Sequence, residues 1–173
     1  MTDTVESLAQ AVAALERRTE NLESAEAVRA LHATFVRAVA DRQFDTLAGY
    51  FDSDAVIDMR THGAKQGEAA IAEHFSHMVN SPLRGASYLL SSPVVTADGD
   101  EAVGRWTWHR FHTEAYAGGD FPAHGIWEEG QYTCTYRRGD DGRWRFSAMR
   151  FRMVRPDADP EGTPVGPGAK AQS

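Results

Sequence analysis

Residues 88–112 read YLLSSPVVTADGDEAVGRWTWHRFH, and this stretch decides the fold. Its side chains alternate with a period of two, as they do in a strand with one face on a core. Within Trp106-Thr107-Trp108-His109-Arg110-Phe111-His112, alternation sets Trp106, Trp108, Arg110 and His112 on one face. Thr107, His109 and Phe111 fall on the other. Asp98-Gly99-Asp100 is turn chemistry, so the stretch folds back on itself as two strands, near 88–97 and 101–113. Two more period-two runs follow, 124–138 and 143–154, joined by Gly139-Asp140-Asp141-Gly142.

Upstream of residue 87 the period is helical. Val5, Leu8, Val12, Leu15 and Leu22 recur at spacings of three and four, with Thr19 in one slot. They make a narrow apolar seam on a charged helix. Such a seam lies either across its own domain or against a partner subunit. A second helix is expected from about Ala25 to Ala40, with Val28, Leu31, Phe35 and Val39 inward. A short one is expected from Phe44 to about Phe51, broken by Asp52-Ser53-Asp54. Residues 55–59 read as a strand, Gly63 and Gly67 flank a turn, and Glu68 to about Asn80 reads as a third helix, stopped at Ser81-Pro82. Helices first and a run of antiparallel strands after is an α+β pattern. The segments expected are an N-terminal helix over 1–24, a domain over 25–155 and a flexible tail over 156–173, rich in Pro, Gly and Asp.

Composition narrows the function classes. The chain has 173 residues, 42% of them hydrophobic, enough for one domain with a core. Its net charge is −7, which gives no basic surface for nucleic acid. No apolar run approaches the roughly 20 residues that cross a bilayer. The single cysteine, Cys134, allows no internal disulfide and suits a reducing cytosol, and the acidic N-terminus lacks a secretory pattern. A cytoplasmic protein is therefore expected, with neither nucleic acid nor membrane as partner.

Several segments then stand in a familiar order. Asp41-Arg42-Gln43-Phe44-Asp45-Thr46-Leu47 resembles a helix junction of the form D-x-x-x-W/F-D-x-L. Tyr50 to Val56 resembles the step into a first strand, and Gly67-Glu68-Ala69-Ala70-Ile71 a helix start. Ser91-Ser92-Pro93-Val94-Val95 with Asp98-Gly99-Asp100-Glu101-Ala102, and Asp141-Gly142-Arg143-Trp144-Arg145-Phe146, resemble the two remaining signatures. Together, over roughly Glu26 to Met153, they resemble the SnoaL-like, scytalone dehydratase-like branch of the nuclear transport factor 2 superfamily. The resemblance implies a cone-shaped, curved antiparallel sheet packed with N-terminal helices around a pocket. It also implies a homo-oligomer, dimer or trimer, built through the convex sheet face.

The resemblance implies a chemistry too. Dehydratases and a dehydrochlorinase of this kind use a His–Asp pair without a cofactor. Neutral imidazole takes a proton from carbon, and a carboxylate fixes its tautomer. Asp41 matches the aspartate at the end of the long helix. The histidine expected three residues before the Ser-Pro turn is replaced by Tyr88, a poor base at neutral pH. A second histidine of the scytalone dehydratase pattern falls on His112. The catalytic candidates are thus Asp41, His112 and Tyr88, and the substrate-binding candidates are Trp108, Arg110, Glu128, Tyr132 and Met59. Glu128 on an inward strand face needs a partner, and Arg110 on the neighbouring strand is the natural one. His74 and His77 share a helix face with Glu73, but no third ligand completes a metal site, and none is expected. The leading expectation is a dehydratase, cyclase (as in polyketide cyclases) or isomerase acting on a small hydrophobic or aromatic, oxygenated substrate. The alternative is a non-catalytic ligand-binding or assembly subunit, like the small subunits of ring-hydroxylating dioxygenases.

Overall fold

The computed structural model describes residues 2–59, 63–80, 87–114 and 124–154, without the side chains of 2, 3, 80, 87, 112–114 and 124–126. The expected tail, 156–173, and His62 lie outside the described residues. One helix, α1, runs from Thr2 to Ala40. A 3-10 turn over Leu47–Tyr50 leads into β1, Phe51–Met59, and then come β2, Ala64–Gln66, and α2, Glu68–Ser76. The long strands are β3, Ser87–Asp98; β4, Glu101–Glu114; β5, His124–Arg138; and β6, Trp144–Val154. All six strands form one sheet in the order β2-β1-β6-β5-β4-β3.

The four long strands lie within a residue or two of where alternation predicts them. Several local expectations change: the short helix expected over 44–51 is only the 3-10 turn Leu47–Tyr50, and the third helix ends at Ser76, with a 3-10 turn over His77–Asn80. The two N-terminal helices are one, because neither Pro nor Gly stands between Leu22 and Val28. The boundary near residue 24 is one of burial: Leu22 is exposed, whereas Ser24 and Ala25 are buried. Asp52-Ser53-Asp54 does not break the chain but lies inside β1, where a register shift between Phe51 and Val56 absorbs it. Residues 64–66 form an edge strand rather than only a turn, and β1 pairs with β6 in parallel, the one parallel ladder in this sheet.

Two further bulges aim side chains inward. In β3 the register shifts between Ser91 and Val94, with Ser92 at φ 50°. The shift changes the inward parity, so Tyr88 and Leu90 share the core face with Val95 and Ala97. Pro93 sits in the bulge of this edge strand, where a missing N–H costs no ladder bond. In β6 the shift opposite Thr135 and Tyr136 lets Phe146, Met149 and Phe151 all face inward.

Helix α1 covers the inner face of the sheet and runs nearest to β3. Asn21 Oδ1 accepts from the backbone N–H of Gly99, and Glu20 pairs with Arg138, which also pairs with Asp100. These contacts pin α1 beside the β3–β4 turn. Further along, Phe35 packs edge-on against Phe51, Phe75 and Phe146, the centre of the core. The outer face of the sheet carries exposed Leu89, Phe111 and Trp127.

Candidate active site

The inner face of the sheet changes character along β4 and β5. Deep under α1 it is aromatic and dry. Trp106, Tyr132 and Tyr136 are buried there, and His32 of α1 stands among them with no exposed surface. His32 lies 4.4 Å from the ring of Trp106 and 5.0 Å from that of Tyr132. Its Nδ1 is 2.7 Å from the Tyr136 hydroxyl, which accepts the Trp106 indole N–H at 3.0 Å. His32 Nε2 has no partner among the described residues. Burial drives the imidazole pKa down to about 3, because a cation there would lose its hydration, so His32 is neutral at physiological pH. The same burial raises the Cys134 thiol to about 12 and pushes the Tyr136 phenol far above its usual value.

Two residues further along each strand the floor is still apolar. Trp108 is buried and meets Phe151 edge-on at 5.1 Å, and Phe151 also lies 4.7 Å from Tyr132. Gly130, opposite Trp108 in the ladder, gives the Phe151 ring its space: a Cβ there would stand 2.5 Å from the ring tip. Beyond this layer the polarity switches. Arg110 and Glu128, directly opposite in the ladder, form an ion pair, with side chains 11% and 21% exposed. The Arg110 guanidinium also lies over the Trp108 ring at 5.4 Å. Tyr88, half-buried on β3 and opposite Arg110, meets Trp108 at 5.9 Å.

The structure therefore gathers Tyr88, Trp108, Arg110 and Glu128 at the polar end of the inner face. Tyr132 belongs to the apolar floor beneath them. Met59, partly buried at the end of β1, sits opposite Phe151 on β6. The backbone of His112 continues β4 two residues past Arg110, paired with Ile126, and its side chain lies outside the described residues. Asp41 is exposed and directly follows α1. Its N–H bonds to Arg37 O at 2.8 Å, Gln43 N bonds back to Ala38 O at 2.9 Å, and Arg42 takes φ 59°, the left-handed closing geometry of a helix C-terminus. Arg42 then donates to Val79 O at 2.7 Å, fixing this corner against the segment after α2.

The sequence reading passed over His32. Its signal was positional: it stands four residues after Val28 and three before Phe35, inside the apolar stripe of α1. On the outer face, His109 Nε2 meets Ser91 Oγ at 3.0 Å, and the ring packs on Trp127 at 5.2 Å. A depression of about 220 Å³ beside the β3 bulge, lined by Ser92, Arg105 and Gln131 among others, also lies on that face, away from the Arg110–Glu128 layer. No cluster of three metal-ligating side chains occurs among the described residues, and no helix among them is long and apolar enough to cross a membrane.

Comparison with known proteins agrees with this architecture. The solved structure of a Mycobacterium tuberculosis protein of unknown function superposes with a TM-score of 0.68 at 22% identity, over 82% of this chain and 78% of that one. A protein of Novosphingobium aromaticivorans described as NTF2-like with a cystatin-like fold gives 0.64 at 21% identity, over 87% and 90%. A hexachlorocyclohexane dehydrochlorinase of Novosphingobium barchaimii gives 0.63 at 21%, over 76% and 87%. At these identities the likeness establishes the fold alone. Comparison with curated proteins gives no match. The family model of the SnoaL-like domain matches residues 20–150, from the last exposed turns of α1 to the middle of β6, and the chain belongs to that family.

Proposed function

We propose that the protein is a small-molecule lyase or isomerase working by acid–base chemistry, with its substrate seated on the Tyr88–Trp108–Arg110–Glu128 layer. The observation that carries this reading is the Arg110–Glu128 pair, set against an aromatic wall with little exposed surface. A desolvated ion pair contributes little net stability over apolar residues of the same volume, so its place at the end of an apolar face favours a role toward a ligand. Likeness in fold to the dehydrochlorinase supports the reaction class.

In this reading His112 is the base. Its neutral imidazole takes a proton from carbon beside a carbonyl. The freed electron pair becomes a double bond as the neighbouring C–O bond breaks, and the imidazolium returns the proton to the departing hydroxyl, which leaves as water. Tyr88 donates to the carbonyl oxygen, and the Arg110 guanidinium stabilises the charge developing there. Asp41 orients the imidazole. The dimensions support this pairing. From His32 to Asp41, α1 rises about 13 Å, and from Trp106 to Arg110, β4 advances about 13 Å. Both run in the same direction from the Asn21–Gly99 contact, so Asp41 comes level with the end of the strand that holds Arg110 and His112. Its carboxylate is solvated in the free chain, and a substrate seated beside it displaces that water and strengthens the pairing.

His112→Asn and Asp41→Asn, assayed on cyclic hydroxy-ketones that quench tryptophan fluorescence on binding, test the assignment. A loss of about 100-fold or more in kcat for His112→Asn, with binding retained, is expected. Unchanged rates in both variants defeat it. A second reading, a ligand-binding protein without turnover, is favoured by the exposure of Asp41 and by Tyr88 standing where the family pattern has histidine. It predicts saturable quenching with no product from the wild-type chain.

A further inference from the structure

Before residue 24, Glu20 and Asn21 tie α1 to Arg138 and Gly99, but the apolar seam of this segment is not covered by the described residues. Val5, Leu8, Val12, Leu15 and Leu22 are 46% to 67% exposed, although they form a continuous apolar line. At 100° per residue, the centre of this line lies roughly 150° around the helix from the stripe that α1 buries against the sheet, Ser24, Ala25, Val28, His32, Phe35 and Val36. The two faces of α1 therefore look in nearly opposite directions, and the exposed one cannot fold back onto the domain while the helix is unbroken.

We propose that this seam forms a parallel, two-stranded coiled coil with the same segment of a second copy of the chain. The residue types select that occupant. Read as heptads, Val5, Val12 and Thr19 take one core position and Leu8, Leu15 and Leu22 the other. β-branched residues at the first core position with leucine at the second are the combination that favours two parallel strands. Charge selects the same orientation. In a parallel pair, the residue before each first core position faces the one five further along on the partner, which sets Arg18 against Glu23 twice. In an antiparallel pair Arg18 faces the other copy's Thr4, Ala11 or Arg18 and gains no acidic partner. Thr19 supplies one polar layer, which penalises slipped registers. The segment is only about two and a half heptads long, marginal for an isolated helix. Here its C-terminal end continues into residues held by the core, so nucleation is already supplied.

Sedimentation equilibrium of the full chain over a concentration series is the test, read with two variants. The wild-type mass is expected to rise to a multiple of the 19.0 kDa chain. Leu8→Glu with Leu15→Glu is expected to lower it, with the near-UV signal of the buried tryptophans unchanged. Leu15→Cys is expected to form an interchain disulfide on mild oxidation, because in-register parallel strands place position 15 against itself. A wild-type monomer at every concentration overturns the proposal, as does a mass indifferent to the two glutamates or a failure of Leu15→Cys to cross-link. This interface is independent of the chemistry proposed above, since the Asn21–Gly99 contact sets the seam's end of α1 at the β3–β4 turn, the far end of β4 from Arg110.

Discussion

Among single residues, His32 is the most consequential one that the mechanism does not use. It is a core imidazole held neutral by its surroundings, and that has a measurable cost. The unfolded chain takes up a proton near pH 6.5, whereas the folded chain resists until about pH 3. The sign follows directly: the folded pKa is depressed, the unfolded state binds more protons below 6.5, and stability falls with pH across that window. The slope approaches about 1.4 kcal/mol per pH unit below 6.5. Urea unfolding of wild type against His32→Phe between pH 7.5 and 4 isolates the term. The two carboxylates that Arg152 and Arg145 hold below their usual range, Asp58 and Asp141, contribute their losses only at more acid pH. The wild type should lose stability steadily and the variant much less; parallel profiles would show that His32 does not titrate as its burial requires. Arg110 and Glu128 illustrate what sequence can supply at this scale. Their pairing was legible because strand alternation and one cross-strand neighbour sufficed. The proposed pairing of Asp41 with His112 rests, in the sequence, on the family resemblance alone, because it depends on how a helix end and a strand end meet in three dimensions.

Individual elements show where local rules were overridden. Asp52-Ser53-Asp54 reads as a breaker by propensity, yet β1 passes through it, because Phe51 and Ala55 on either side are drawn into the core. Ser92 presents the reverse case, a residue whose backbone sets the element. At φ 50° it occupies a conformation that costs a non-glycine residue about 1 kcal/mol, and it is exposed, so its side chain has no packing to lose. Ser92→Gly should therefore raise the thermal midpoint slightly, by up to about 1 kcal/mol in stability. Deleting Ser92 should instead invert residues 87–91, turning Leu89 inward and Tyr88 out, with loss of the Tyr88–Trp108 contact. Thermal melts and near-UV spectra of both variants check this. A deletion as stable as wild type would mean that the bulge does not set which side chains face the core. The helical seam was also readable from its spacing, but only the burial pattern distinguishes an arm facing away from the domain from a helix lying across it.

The molecule as a whole combines a helix-backed sheet with a graded inner face, dry and aromatic under the middle of α1 and charged toward its end. Four long strands and both turns were visible in the sequence because period-two patterning and Asp-Gly turn chemistry are local signals. The β1–β6 parallel pairing was not, since it joins residues about ninety positions apart and leaves no short-range trace. The inner gradient supports the proposed function, in which the apolar floor excludes water and the polar layer at its rim would receive the reacting oxygen. The most direct test is solvent exchange. The protein is incubated in heavy water with a bound cyclic hydroxy-ketone, and deuterium at the carbon beside the carbonyl is followed by NMR. Label should enter at that carbon with wild type and fade to background with His112→Asn, while both proteins still bind the ketone. A wild-type protein that binds the ketone and leaves that carbon unlabelled, with no product formed, would contradict an acid–base site on this face.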